Sequence, residues 1–344
     1  MEIEMKVKTN LWNEFLQCCD KSTIYHTPEW KSVLENAYGY DPKYLFLVDD
    51  NGLVIGELPL FCVNSKLFGS HLSSLPFSHS CGYIGRESHR NDILESAIRI
   101  SDGTKSKYLE IRDAVYHPGF REVDSFYTHI LELSNKLELV WGKLDKGSVR
   151  WAIRKSMALG TSVATTRNLE DLREFYELNC MTKRDLGVPC QPWKNFRNLF
   201  EIPGDFALLH SVRCNGEMVA GGIMEYFKDT VLYGYGAANP RYLNMHPYHA
   251  FLWAAIENAC SDGYKYLDFG RSSDREQGLR EFKRRWGTLE RALCYSYYPP
   301  TSSSALAEAY SKKSVLYRLG SAIIRHAPMT IYKRFSDAVV GGMG

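Results

Sequence analysis

Residues 206–227 read FALLHSVRCNGEMVAGGIMEYF. Two largely apolar runs, Phe206 to Cys214 and Glu217 to Phe227, flank the pair Asn215-Gly216. Asn-Gly between two such runs is the strongest short-range hairpin signal, because both turn residues must take positive φ. The arrangement occurs once before, as YLFLVDD, Asn51-Gly52 and LVIGELPLFCV. An amphipathic segment precedes each hairpin. In the first half it is YHTPEWKSVLENAYGY, with Pro28, Trp30 and Lys31; in the second it is WKNFRNLFE, where Trp193 and Lys194 follow Pro192. The tryptophans stand 163 positions apart and the turn asparagines 164. One helix–strand–turn–strand order repeated at one offset predicts two copies of a single α/β unit.

The second copy continues with VLYGYGAANPRYLNMHPYHAFLWAAIENACSDG, residues 231–263, which reads as a strand, a turn and a long apolar-faced helix. That helix leads into GYKYLDFGRSSDREQGLREFKRRWG, residues 263–287. Tyr264 to Phe269 is rich in strand-favouring types, and Gly270 breaks the strand. Ser272, Ser273 and Asp274 carry helix-capping chemistry. Leu279, Phe282 and Trp286 then stand at i, i+3 and i+7, one apolar helical stripe closed by Gly287. Beside it are Arg280, Lys283, Arg284 and Arg285, four cations in six residues. A strand, a polar loop and a short helix with cations along a buried edge make a place to hold an anion or a developing oxyanion. The plainer alternative is a helix that buries one face and solvates the other.

Other candidates surround this stretch. Asp268, two residues before Gly270, is placed to reach a cleft and position an incoming amine, or else to cap a loop. Arg271, Ser272 and Ser273 suit phosphate or sugar hydroxyls, or ordinary capping. Tyr233 and Tyr235 alternate on one strand and are candidates for an acceptor groove, against simple packing. His246 and His249 have i, i+3 spacing without a third ligand, so no metal is expected. His79 and Cys81 lack an orienting acid for nucleophilic catalysis. Lys143 to Gly160 carries five cations against the single Asp145, with Val149, Ile153 and Met157 at helical spacing. It reads as a basic linker helix, with a solvated face or nucleic-acid binding as its two uses. Further elements are expected as helices over Asp92–Ile100 and Leu169–Leu178, the latter followed by the polar segment TKRDLGVPCQPW. Strands are expected over Tyr108–Arg112 and Tyr127–Leu133.

Composition narrows the class. The 344 residues suit about two domains, and 44% hydrophobic with 24% charged residues is ordinary for a globular protein. A net charge of +2 provides no global field for nucleic acid or membrane. Nine scattered cysteines without C-x-x-C spacing suggest reduced thiols and a cytoplasmic setting. The start, MEIEMKVKTN, lacks the apolar core of a signal peptide, and no window reads as a membrane span.

Several motifs together resemble one family. They are Trp30 after His-Thr-Pro, the linker Arg150-Trp-Ala-Ile-Arg154-Lys155, LYGYGAANP, HPYHAFLWAAIENACSDGYKYLDFGRSS and EFKRRWG. They resemble the Fem-type (FemAB-like) transferases, tandem GNAT-fold proteins, and in particular the exopolysaccharide- and exosortase-associated branch. The resemblance implies an α/β (α+β) fold of two GNAT-like domains, each a mixed, largely antiparallel sheet flanked by helices. It implies acyl transfer to an amine, with acyl-CoA or aminoacyl-tRNA as donor and a cell-envelope glycan or peptide precursor as acceptor. The family's Phe-Lys pair falls on Phe282-Lys283, with Trp286-Gly287 following, and gives Lys283 the task of neutralising charge at the reacting ester. Lys283 and Asp268 are thus the expected catalytic residues. Phe282, Arg271, Ser272, Ser273, Arg280, Trp286, Tyr233, Tyr235 and Trp30 are the expected substrate-binding ones. Two departures stand out. Tyr242 to Tyr248 contains no glycine where CoA-using relatives have a glycine-rich pyrophosphate turn, and no long helical arm of the tRNA-using kind is present.

The domains expected are 1–142, a linker helix 143–160, an acyltransferase domain 161–300 and a tail 301–344. The tail opens on the polar run TSSS, and Lys312 to Arg334 has six Lys/Arg and no acid among Val315, Leu316, Leu319, Ile323, Ile324 and Ile331. Such a segment suits an anionic membrane surface, or folds back on the first domain. The function expected is an acyl or aminoacyl transferase without a covalent enzyme intermediate. The alternatives are a CoA-dependent N-acetyltransferase of an amino sugar and a non-catalytic GNAT-like module at the membrane surface.

Overall fold

The structure, a computed structural model, describes residues 2–65, 69–202, 206–301 and 315–343. The chain divides into two compact units. Unit 1 holds residues 1–125, 293–323 and 334–344; unit 2 holds 126–292 and 324–333.

Unit 1 begins with β1 (Glu2–Glu4), α1 (Thr9–Cys18) and α2 (Pro28–Tyr38). Next come β2 (Asp41–Pro42), β3 (Leu45–Val48), β4 (Val54–Leu58), β5 (Phe61–Ser65), β6 (Gly69–Ser74) and β7 (Ile84–Gly85). Helix α3 (Arg90–Gly103), β8 (Leu109–Ile111) and the start of β9 (Arg121–Glu132) follow, and residues 293–323 and 334–344 return to this unit. Strands β1, β3, β4 and β7 pair antiparallel in that order. Strands β2, β5, β6 and β8 make a second set, with β6 and β8 parallel. The amphipathic segment at Trp30 forms α2 as expected: Thr27 caps it by accepting from the Trp30 N–H, and Pro28 takes the first turn, where no N–H is needed.

The expected strand LVIGELPLFCV breaks at Pro59, which cannot donate to a ladder, into β4 and β5. The first turn also differs from its sequence signature. Gly52 has positive φ but Asn51 does not; the Asp49 carboxylate instead accepts from the N–H groups of Asn51 and Leu53, making a longer loop. The second turn behaves as predicted, with φ of 50° at Asn215 and 83° at Gly216.

Unit 2 takes the rest of β9, then α4 (Leu137–Lys143), a wide turn over Lys146–Arg150 and α5 (Trp151–Ala158). Its sheet strands are β10 (Ser162–Thr166), β11 (Ala207–Cys214), β12 (Glu217–Phe227), β13 (Thr230–Ala238) and β14 (Tyr266–Asp268). Helices α6 (Leu169–Leu186) and α7 (Trp193–Glu201) separate β10 from β11, and α8 (Pro247–Ser261) separates β13 from β14. The helix expected to stop at Leu178 runs through TKRDL, ending where Gly187 adopts the left-handed conformation. After β14 come β15 (Ser272–Ser273), α9 (Gln277–Arg284) and β16 (Leu289–Tyr298), whose end pairs with β8 in unit 1. The last helices are α10 (Val315–His326) and α11 (Met329–Val339). The TSSS run, Lys312 and the side chains of Val315, Leu316 and Leu319 lie outside the described residues.

Strands β10 to β13 pair antiparallel in chain order; β14 joins β13 in parallel, and β9 pairs antiparallel with β14. This is the mixed, largely antiparallel sheet expected. Adjacent glycines show which helix covers which face of β12. A Cβ on Gly221 would meet the Phe175 ring of α6 at 3.0 Å, and one on Gly222 the Phe251 ring of α8 at 2.4 Å. Helices α6 and α8 thus cover opposite faces, because neighbouring strand residues point opposite ways. The core on the α8 side joins Val219, Met224, Phe251, Ile256, Leu267 and Trp286.

Gly222→Ala is expected to destabilise the protein by about 1–3 kcal/mol, since the methyl has no room beside Phe251. Gly142→Ala in α4, with nothing within 4 Å, should leave stability unchanged or raise it by up to about 1 kcal/mol. Urea denaturation of both variants checks this; equal effects would contradict the α8 packing.

Candidate functional site

The site is built where β14 stops. Strands β13 and β14 pair from Thr230↔Tyr266 to Leu232↔Asp268, after which β13 runs on to Ala238 without β14 beside it. At that point β13 also changes register against β12: Ile223 faces Tyr235 but Met224 faces Tyr233, so Gly234 is an inserted residue. A bulge of this kind bends the strand and re-aims its side chains. It overturns the expectation that Tyr233 and Tyr235 share a face. Tyr233 packs on Phe251 and Phe269, on the α8 side, whereas Tyr235 packs on Phe196 of α7 and accepts a hydrogen bond from Asn195 Nδ2 at 2.9 Å.

Gly270 follows β14 with φ of 67°, and a Cβ there would lie 3.7 Å from the Tyr233 carbonyl oxygen. Lys283 reaches this turn from α9. Its Nζ donates to the carbonyls of Gly270 at 2.7 Å and Arg271 at 3.1 Å, and the residue is 4% exposed. Desolvation lowers the Lys283 pKa to about 8, against the opposing pull of the Asp268 and Glu276 carboxylates. A fall of that size amounts to about 3 kcal/mol against the charged form. Asp268 caps the same turn: its Oδ1 accepts from Gly270 N at 2.7 Å and Thr128 Oγ1 at 2.5 Å. Asp268, Gly270, Arg271 and Lys283 therefore come together.

Helix α9 and the turn after it bury the predicted stripe only in part: Phe282 and Trp286 join the core on the α8 side. Leu279 is 40% exposed, while Arg280 and Lys283 are buried with Trp286. The tertiary partners explain the shift. Arg280 lies over the Tyr127 ring at 3.8 Å and makes two hydrogen bonds to Glu290, which also receives Arg284 and His129 Nε2. Arg280 first, with Arg284, holds the Glu290 carboxyl down at about 2. Trp286 is wholly buried, stacked on His249 with Phe282 at its edge. Ser272 and Ser273 do not cap α9. They form β15 against Tyr127 and Phe126, and Ser273 makes the following turn with Glu276. Arg271 lies over Phe126 at 4.4 Å, and the buried Ser272 hydroxyl has no hydrogen-bond partner among the described residues. Trp30 belongs to unit 1, where it is buried against Tyr25.

Several groups escaped sequence reasoning. Lys183 of α6 has its pKa lowered by desolvation, and Glu276 opposes that shift as it does for Lys283. Glu290 gave no signal, since one acid among charged residues looks solvated. Glu225 was legible only as a lone acid in the apolar run EMVAGGIMEYF. Two weaker candidates do not assemble. His79 bonds the Tyr25 hydroxyl, and Cys81 is a buried thiol facing His26 whose pKa burial raises. In the basic linker, Arg150 bonds the Leu144 and Gly142 carbonyls, Arg150 and Arg154 lie over Trp141, and Lys143 pairs with Glu132.

Residues 146–284 match the sequence family described as Acetyltransferase (GNAT) domain. No curated protein matches the chain in sequence. Among solved structures, the fold is similar to that of FemX, with a TM-score of 0.71 and 16% identity over 90% of this chain and 100% of that one. It is also similar to L-PGS from Bacillus licheniformis, with a TM-score of 0.58 and 13% identity over 94% of this chain and 100% of that one. The Fem-type resemblance thus holds at the level of fold.

Glu290→Gln should lower stability at neutral pH by about 1–3 kcal/mol, as charge-assisted hydrogen bonds are lost. Because the folded pKa of Glu290 is depressed, its contribution is fully present above the ordinary carboxylate range. It is lost as pH falls toward about 2. The gap between variant and parent in denaturant midpoints should therefore close on acidification; a constant gap would contradict the ion cluster.

Proposed function

Starting from a GNAT-type acyltransferase domain at residues 146–284 in a chain of Fem-like fold, we propose that this protein transfers an acyl or aminoacyl group onto an amine of a cell-envelope glycan or peptide precursor. The observation that carries the reading is Lys283. A desolvated ammonium, fixed by two carbonyls beside the strand edge that β14 leaves open, has a third N–H that no hydrogen bond among the described residues takes up, available to an incoming group.

Aminolysis of an ester or thioester passes through a tetrahedral oxyanion. A cation already desolvated and positioned stabilises that oxyanion without reorganising at the moment of reaction. In this reading Lys283 supplies the charge, and Asp268 keeps Lys283 protonated and the Gly270 turn in place. Phe282 and Trp286 seal the apolar side. Arg280 acts through the Glu290 cluster, while Arg271, Ser272 and Ser273 line the polar loop. No side chain is required as a covalent carrier.

The donor is argued from the turn before α8. Pro240–Met245 forms a tight helical turn, His246 has positive φ, and Pro247 occupies the first turn of α8 without an N–H. A pyrophosphate grip relies on free N–H groups at that position. This favours a charged tRNA or another activated acyl donor over acyl-CoA. Calorimetric titration with acetyl-CoA tests it: absence of heat supports the reading, and saturable micromolar binding favours the N-acetyltransferase alternative.

Peripheral membrane contact fits the same reading. Among the described residues no helix is long and apolar enough to cross a membrane. Helices α10 and α11 expose Ile323, Ile331 and Phe335 beside Arg325 and Arg334. Other groups of α11 are engaged with unit 2, where Tyr332 donates to the Val188 carbonyl and Lys333 pairs with Glu177.

Lys283→Ala should reduce turnover by about 10²–10³-fold while the fold is retained. Wild-type activity should decline as pH rises through about 8, where Lys283 loses its proton. Rates of amide formation with pH, alongside circular dichroism, check both; full activity in the alanine variant would remove Lys283 from the mechanism.

A further inference from the structure

Unit 2 buries a carboxylate that the reading above does not use. Glu225 of β12 is 1% exposed, and neither of its oxygens has a hydrogen-bond partner among the described residues. Burying a charge without a partner is costly, so such a group stays neutral until a cation reaches it. Burial alone raises the Glu225 pKa to about 8.

The strand geometry shows where that carboxylate lies. Alternation along β12 puts Gly221, Ile223 and Glu225 on the face covered by α6. The bulge brings Gly234 and Tyr235 of β13 to the same face. A Cβ at Gly234 would stand 2.5 Å from Glu225 Oε1, so the carboxylate fills the space this glycine leaves, and Gly234 itself is exposed. The Glu225 charge also acts on the Tyr235 hydroxyl, which Asn195 holds. A buried carboxylate without a hydrogen-bond partner among the described residues, lying against an exposed bulge glycine, calls for an explanation that packing does not supply.

We propose that Glu225, with the Tyr235 hydroxyl on which its charge acts, forms a binding site for a primary ammonium group of a substrate. The proposal rests on the transferase reading, because amine acylation provides two such groups: the acceptor amine and the α-ammonium of an aminoacyl donor. On binding, the alkylammonium keeps its proton, the Glu225 carboxyl releases its own to buffer, and the ion pair forms. Gly234 is there because any side chain would collide with the carboxylate.

The test is calorimetry at pH 7 in two buffers of different ionisation heat, which counts protons released. The probes are 1,5-diaminopentane, standing for an acceptor side chain, and alanine amide, standing for the donor's α-ammonium. Wild type should bind one of them with proton release, and the probe that binds identifies the source. Glu225→Gln, nearly isosteric, should bind it at least about tenfold more weakly and release no proton. Gly234→Ala, which crowds the carboxylate, should weaken binding similarly and covers the case of a Gln variant that fails to fold. Binding equal in all three proteins, or no binding of either probe to wild type, overturns the site. Acyl transfer measured separately keeps the two readings apart. Transfer whose donor and amine KM values are both unchanged in Glu225→Gln sinks this proposal alone. Glu225-dependent binding without transfer to any amine sinks the transferase reading alone.

Discussion

One lysine ammonium, removed from water and held on two backbone carbonyls, sets the character of unit 2. Lys283 can occupy its position only because Gly270 turns the chain sharply after β14 and presents its carbonyl to α9. That turn is kept by Asp268, whose carboxylate receives the Gly270 N–H and the Thr128 hydroxyl. The same carboxylate opposes the desolvation of the lysine. Helix α9 is thereby fixed with its cationic edge inward, an orientation that apolar burial alone would not select.

The buried cations of α9 illustrate how charge is managed in a low-dielectric setting. Arg280 is matched by Glu290 in a paired, planar contact and covered by the Tyr127 ring, so its charge is satisfied locally. The Lys283 ammonium is held by the Gly270 and Arg271 carbonyls, which satisfy it without a carboxylate in direct hydrogen-bond contact among the described residues. Glu225 and Asn179 show the opposite situation, buried polar side chains with no hydrogen-bond partner among the described residues. Lys283 and Glu225 both lie at one irregularity. Where β14 ends and Gly234 is inserted, the sheet stops being a continuous ladder and its backbone and side chains become available for chemistry.

How much of this was readable in advance can be argued element by element. Helix α2 and helix α7 are legible because each buries one apolar stripe and starts at a proline or a capping threonine. The second hairpin is legible because Asn215 and Gly216 both accept positive φ. The first hairpin is less so, because Asp49 captures the turn N–H groups and alters the loop. Lys283 stands out from its resemblance and its neighbours, but of the apolar stripe read for α9 only Phe282 and Trp286 turn inward, since Tyr127 and Glu290, distant in sequence, draw Arg280 in while Leu279 stays exposed.

The sequence by itself determined the repeated α/β unit, the order of strands around both Asn-Gly turns, and the strand–glycine–helix passage that carries Lys283. Those features follow from local periodicity and turn chemistry, which neighbouring residues decide among themselves. Only the tertiary structure decided that Tyr233 and Tyr235 face opposite ways, that Leu279 faces out while Arg280 faces in, and that the Glu225 carboxylate has no partner among the described residues. Each depends on which strand or helix arrives alongside. Register, bulges and the pairing of buried charges are settled between segments far apart in the chain, where no local pattern reaches.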